Sequence, residues 1–215
     1  MTKYVRGVYK HPRIYDKLLA NPRYRRNVGG VLERALETIQ DDIPEPAHIL
    51  DLGCGTGLAT EVIGRVFPSS FCYGFDNSEE MLRVYRKNFP CAILLIGDFN
   101  TGKAARFPEK DKVELTEMFD LVVSSGSLSE YGEYDNALQF VFRVLNPRGI
   151  LVNIGNRKGT LGNLISEKLW RYNAQGSAKF IEACERAGFS TQMLQIPEGL
   201  GFTRYMKYCV VARKM

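Results

Sequence analysis

The chain has 215 residues, of which 45% are hydrophobic and 25% charged, and a formal charge of +5. That length suits one domain with a well-buried core rather than two, and the composition excludes a disordered chain. No apolar run approaches the roughly 20 residues that a membrane span requires.

The first residues, Met1-Thr2-Lys3-Tyr4-Val5-Arg6, lack the apolar core of a leader peptide. Cysteines at 54, 72, 91, 184 and 209 show neither a paired framework nor a Cys-x-x-Cys spacing. Reduced thiols in a cytoplasmic protein are therefore expected. The positive charge is concentrated early. Residues 1–34 carry nine basic side chains against Asp16 and Glu33, a balance that attracts phosphate-bearing partners or simply forms a solvated helix face.

In chain order, residues 1–45 read as a helical cap in which Tyr4, Tyr9, Tyr15 and Tyr24 alternate with the basic residues. Its clearest helix runs over 28–40, where Val31, Leu32, Ala35, Leu36 and Ile39 form one stripe. Residues 46–215 form the second part of the same structural domain. A strand at 49–52 breaks into Gly53-Cys54-Gly55-Thr56-Gly57, and a helix resumes at Leu58. Further apolar runs at 71–75, 92–96, 119–123 and 150–154 predict strands, with helices between several of them. The polar stretch 100–117 reads as a surface insertion. An added helix is expected over 159–172 and another over 177–187. Two strand-like runs, 191–196 and 205–212, then follow with no helix between them, so they must be antiparallel neighbours. The fold class is α/β: a single doubly wound, mostly parallel seven-stranded sheet with one antiparallel strand, under an N-terminal helical cap.

The turn Asp51-Leu52-Gly53-Cys54-Gly55-Thr56-Gly57 carries the chemistry. Glycines there permit positive φ and close approach of a ligand to the backbone, at the helix N-terminus where α/β proteins hold anionic or nucleotide groups. The dinucleotide pattern Gly-x-Gly-x-x-Gly fails, because Leu58 occupies its third slot, and no Gly-Lys-Ser/Thr follows to make a P-loop. A carboxylate at Asp51 repels pyrophosphate but can pair with an ammonium group, which favours a ligand with an amino-acid moiety.

Residues 49–57 resemble the first motif of class I S-adenosylmethionine-dependent methyltransferases, and the likeness extends over most of 47–155. The resemblance implies that Asp76, ending the second strand, binds both ribose hydroxyls, as a two-oxygen acceptor can. It implies that Asp98, in Gly97-Asp98-Phe99, accepts from the adenine amino group. Residues 119–125, Ser124 among them, match the strand beneath the transferred methyl. Residues 145–151 match the family's Leu-x-Pro-Gly-Gly turn, with Arg148 in place of one glycine. The implied cofactor set is Asp51, Gly53, Cys54, Gly55, Gly57, Leu58, Asp76, Asn77, Met81, Gly97, Asp98, Phe99 and Ser124. Met81 and Leu58 serve there as apolar walls.

The expected function is methyl transfer from S-adenosylmethionine, leaving S-adenosylhomocysteine, to a small-molecule or lipid-like acceptor by in-line displacement. Such a reaction needs its nucleophile positioned, and a general base is optional. Glu130, Tyr131 and His11 are the candidate catalytic residues, and Tyr9, Tyr15, Trp170 and Tyr172 the candidate acceptor contacts. His48, at the start of the first strand, reads as structural. Neither Asn/Asp-Pro-Pro-Tyr nor a Pro-Cys nucleophile appears after the fourth strand, which disfavours amino-directed and cytosine-directed nucleic-acid enzymes. No spacing suggests a zinc site. Two alternatives remain: an RNA methyltransferase using the basic N-terminal segment, and a non-catalytic S-adenosylmethionine-binding module acting through a partner. A dehydrogenase is the weakest reading.

Overall fold

The computed structural model describes residues 21–128, 134–159, 176–201 and 203–215. Its first element, α1 (Pro22–Ile39), begins six residues earlier than the apolar stripe alone predicts. The reason is local. Asn21 accepts from the backbone amides of Arg23 and Tyr24, and Pro22 occupies the first helical position, where its missing N–H costs nothing. The stripe of Val28, Val31, Leu32, Ala35, Leu36 and Ile39 is buried, each of its valines, leucines and its isoleucine contributing roughly 1.5–3 kcal/mol.

The chain then alternates strands and helices: β1 (His48–Leu52), α2 (Leu58–Val66), β2 (Phe71–Asp76), α3 (Glu79–Asn88) and β3 (Ile93–Asp98). Two short strands follow, β4 (Lys103–Arg106) and β5 (Lys112–Val113), before β6 (Phe119–Ser125), α4 (Tyr134–Val144) and β7 (Leu145–Asn156). The last elements are α5 (Ser177–Arg186), β8 (Phe189–Leu194), the one-turn α6 (Thr203–Met206) and β9 (Lys207–Lys214). The nine strands among the described residues form one sheet in the order β5-β4-β3-β2-β1-β6-β7-β9-β8.

Pairings β1–β2, β2–β3, β1–β6 and β6–β7 are parallel. Both faces of this central part are covered, which is why its strands read as continuous apolar runs. On one face Ile49, Leu121, Val123, Ile150 and Val152 pack with α1 and α2. On the other, Leu50, Leu52, Val122, Leu151 and Val210 pack with α4 and α5.

The expected seven strands with one antiparallel member are corrected to nine, because β4 and β5 join β3 in antiparallel fashion as β9 and β8 join β7. Residues 100–117 are thus not simply a surface insertion. They supply a hairpin that extends the sheet. Its strands are short and charged, as edge strands are when they resist further pairing, and this hides them in the sequence. Gly97 makes the pairing possible, since a Cβ there would collide with the Lys103 carbonyl. The final strands, by contrast, are antiparallel neighbours as their missing crossover requires. No helix among the described residues is long and apolar enough to cross a membrane.

The strand order reverses between β1 and β6, so the ligand crevice expected of an open α/β sheet lies outside their carboxyl ends. Helix α1 reaches that edge. Its Arg25 pairs with Glu61 in the first turn of α2 at 2.6 Å.

Candidate functional site

The glycine turn after β1 is held from both sides. Gly53 and Cys54 donate their amides to the Phe75 carbonyl at 2.8 and 3.0 Å, and Gly57 donates to Cys54 O at 2.9 Å. Gly53, Gly55 and Gly57 have φ of 71°, 52° and 101°, a region that side chains with a Cβ rarely enter. Space is short as well as conformation: a Cβ on Gly53 would strike Ser127, and one on Gly57 would strike the Phe89 ring. The turn therefore requires glycine twice over.

Three acids stand at the ends of successive strands, each engaged by local donors. Asp51 is 1% exposed, and its Oδ2 accepts from the Thr60 amide at 3.1 Å and the Thr60 hydroxyl at 2.7 Å. Burial pushes its carboxyl up to about 7 although both Thr60 bonds pull it down, and the Asp76 charge adds to the rise. Because the single Thr60 proton goes to Asp51, the nearby Tyr85 hydroxyl donates to Thr60 in turn. Asp76, half-buried at the end of β2, accepts from Gly55 N through Oδ2 and from Ser78 N through Oδ1, both at 2.9 Å. Burial raises its carboxyl, opposed by the amides of Gly55, Ser78 and Asn77. Asp98, ending β3, accepts from the Asn100 amide at 2.9 Å and its side chain at 3.3 Å.

The other sequence-derived candidates fall around this turn. Ser78 caps α3 by accepting from Met81 N, and Met81 is buried beneath it. Leu58 is half-buried at the start of α2, and Phe99 is buried in the core under β3. Cys54 is buried, and burial with the Asp76 and Asp51 charges pushes its thiol well up, leaving it inert. Ser124 is fully buried and faces inward. Its hydroxyl lies 2.8 Å from Ser127 Oγ, which donates to the Leu52 carbonyl at 2.6 Å. The loop after β6 is thereby clasped to the end of β1. His48 sits at the opposite edge, its Nδ1 3.0 Å from the Tyr73 hydroxyl. Glu130, Tyr131, His11, Tyr9, Tyr15, Trp170 and Tyr172 lie outside the described residues.

Several polar groups escaped the sequence reading. Thr60 is one, an inward-facing hydroxyl on an otherwise amphipathic helix. Asn153 on β7, paired in register with Ser124, is 0% exposed, and neither its Oδ1 nor its Nδ2 has a hydrogen-bond partner among the described residues. The hydroxyls of Tyr134 and Tyr208 beside it are likewise buried, with no partner at full hydrogen-bond distance among the described residues, though the three groups stand close enough to act on one another. Burial pushes the Tyr134 phenol up to about 12. Lys207 is 8% exposed and donates to Asn156 Oδ1. Only the fold brings Asn153 to Tyr134 and Tyr208, and Lys207 to Asn156. Among the described residues no cluster of His, Cys, Asp or Glu could hold a metal ion.

A parallel sheet with a glycine turn after its first strand, acids ending three adjacent strands and an antiparallel pair beyond the last crossover is the fold of class I S-adenosylmethionine-dependent methyltransferases. A SAM-dependent methyltransferase from Aquifex aeolicus superposes with a TM-score of 0.68 at 17% identity, covering 95% of this chain and 98% of that one. The chain belongs to the methyltransferase domain family, whose sequence model matches residues 45–185. It is 31% identical over 109 residues to trans-aconitate 2-methyltransferase of Variovorax paradoxus (strain S110), 51% of this chain and 38% of that protein. It is 33% identical over 160 residues to malonyl-[acyl-carrier protein] O-methyltransferase of Methylococcus capsulatus, 73% of this chain and 52% of that protein. The chain thus spans about half or less of the length of these curated relatives.

Proposed function

We propose that this chain transfers a methyl group from S-adenosylmethionine to a small-molecule acceptor. The observation that carries the reading is the geometry of Asp76. Its oxygens accept the backbone amides of Gly55 and Ser78, with the Asn77 amide acting on it as well, which fixes a two-oxygen acceptor at the strand end where a ribose diol would meet it. Asp51 and the turn around Gly53 to Gly57 would hold the amino-acid end, Asp98 the adenine amino group, and Leu58 and Met81 the apolar flanks. When bound, the cofactor supplies the electrophilic methyl group. The chain itself has to hold an acceptor in line with that methyl and keep water away.

Small-molecule acceptors are favoured because the two relatives above act on trans-aconitate and on a malonyl group carried by a protein. The residues before β1 act in this reading as a cap on the crevice, supported by the Arg25–Glu61 pair that sets the start of α1 at the carboxyl edge. A reducing, cytoplasmic setting suits the five free cysteines.

Equilibrium dialysis with S-adenosylmethionine and S-adenosylhomocysteine, followed by a labelled-methyl screen over carboxylate, amine, hydroxyl and RNA acceptors, tests the proposal. Binding of both nucleosides with label incorporated into a small molecule is the expected result. Failure to bind either nucleoside would refute it, and incorporation into RNA alone would replace the acceptor.

A further inference from the structure

The carboxyl edge of the sheet holds a buried cation that the donor site does not use. Lys207 opens β9 directly opposite Asn156, the last residue of β7. Ser125 at the end of β6 pairs with Ile154, so Asn156 and Lys207 stand two residues beyond the end of β6, at the lip of the crevice. Lys207 is 8% exposed and Asn156 4%. The ammonium donates to Asn156 Oδ1, and among the described residues no carboxylate lies within ion-pair distance of it. An ammonium has three donors, and one neutral amide satisfies one of them. Burying a charge in that condition is costly unless a counter-charge arrives.

Arg157, the residue after Asn156, donates through Nε to the Lys207 carbonyl at 2.7 Å and through its amide to Met206 O at 2.8 Å. This places a guanidinium on the same strand ends. β9 stands two strand spacings of about 4.8 Å from β6, and Lys207 lies three residues beyond the register position of Ser124 toward the carboxyl edge.

We propose that Lys207, oriented by Asn156, binds a carboxylate of the methyl acceptor, making the substrate class of this site small organic acids. This rests on the methyltransferase reading for the word acceptor, and on the fold alone for the anion site. Asn156 acts as a positioning residue: it fixes the ammonium so that its two remaining donors meet the carboxylate in charge-assisted hydrogen bonds.

The test is calorimetric titration of the full chain with propane-1,2,3-tricarboxylate, alone and with saturating S-adenosylhomocysteine, against the corresponding uncharged triamide. Wild type is expected to bind the acid and not the triamide. Lys207→Met is expected to weaken acid binding at least tenfold, leave S-adenosylhomocysteine affinity within twofold, and raise the melting temperature of the ligand-free chain, because an apolar side chain of similar length replaces an unneutralised charge. Lys207→Arg should retain most of the binding, and Lys207→Gln, which keeps a polar end, takes over the binding test if Lys207→Met does not fold. Equal acid affinity in wild type and the neutral variants, triamide binding as tight as acid binding, or a lower melting temperature in a folded Lys207→Met would each overturn the assignment. Loss of S-adenosylhomocysteine binding in wild type with acid binding intact would sink the methyltransferase reading and leave the anion site standing.

Discussion

The two halves of the carboxyl edge treat their polar groups in opposite ways. Around β1, β2 and β3, every acid is engaged: Asp51 by Thr60, Asp76 by Gly55 and Ser78, Asp98 by Asn100. Around β6, β7 and β9, Asn153, Tyr134 and Tyr208 are buried with no partner at full hydrogen-bond distance among the described residues, and Lys207 has a single neutral one there. Each unsatisfied buried polar group costs on the order of 1–3 kcal/mol. The first half is preorganised, with its strand-end acids locked by local donors. The second keeps Tyr134 and Tyr208 inside the core between the sheet and helices α4 and α5.

Breaking the first half should have the largest effect. Asp76→Ala removes the two-oxygen acceptor and frees the amides of Gly55 and Ser78. S-adenosylmethionine affinity is expected to fall at least tenfold and up to about a hundredfold, the equivalent of roughly 1.5–3 kcal/mol for a charge-assisted contact, while circular dichroism stays native. Unchanged affinity would remove Asp76 from the site. In the second half the prediction has the opposite sign for stability. Asn153→Leu replaces an unpaired amide by an apolar group of similar size, so urea unfolding should show a gain of about 1–3 kcal/mol at an unchanged m-value. A loss would mean that Asn153 is satisfied within the fold.

Asp51 gives a pH signature for the locked half. Its carboxyl stands near 7 in the folded chain against an ordinary value of 3.8, so the folded state binds that proton more tightly. Its contribution to stability is complete below the unfolded value and disappears as pH rises through the folded one. The wild-type melting temperature should therefore fall relative to Asp51→Asn as pH is raised from about 5 to about 8. Parallel profiles would contradict a carboxyl raised by burial. The smallest effect is expected at Arg148, whose φ of 65° puts a bulky residue in the left-handed region. Arg148→Gly relieves that strain at some cost in chain entropy, for a net gain of about 0.5–1 kcal/mol by the same unfolding measurement.

What the sequence alone determined is what contiguous residues encode. Three glycines behind a buried strand dictate the turn, and Asp51, Asp76 and Asp98 fall on strand ends because each closes its own apolar run. The missing helix before the last strand makes it antiparallel. Tertiary structure decided everything set by pairing between distant residues. The β4–β5 hairpin is invisible in a polar stretch because edge strands carry charge in place of an apolar pattern. Thr60 reads as an ordinary helix residue until the turn swings it onto Asp51. Lys207 and Asn156, 51 positions apart, become partners only through the antiparallel register of β7 and β9. The half around β1 to β3 is legible because its turn and strand-end acids are local in sequence, and the half around β6 to β9 is not because its polar groups are brought together by the sheet.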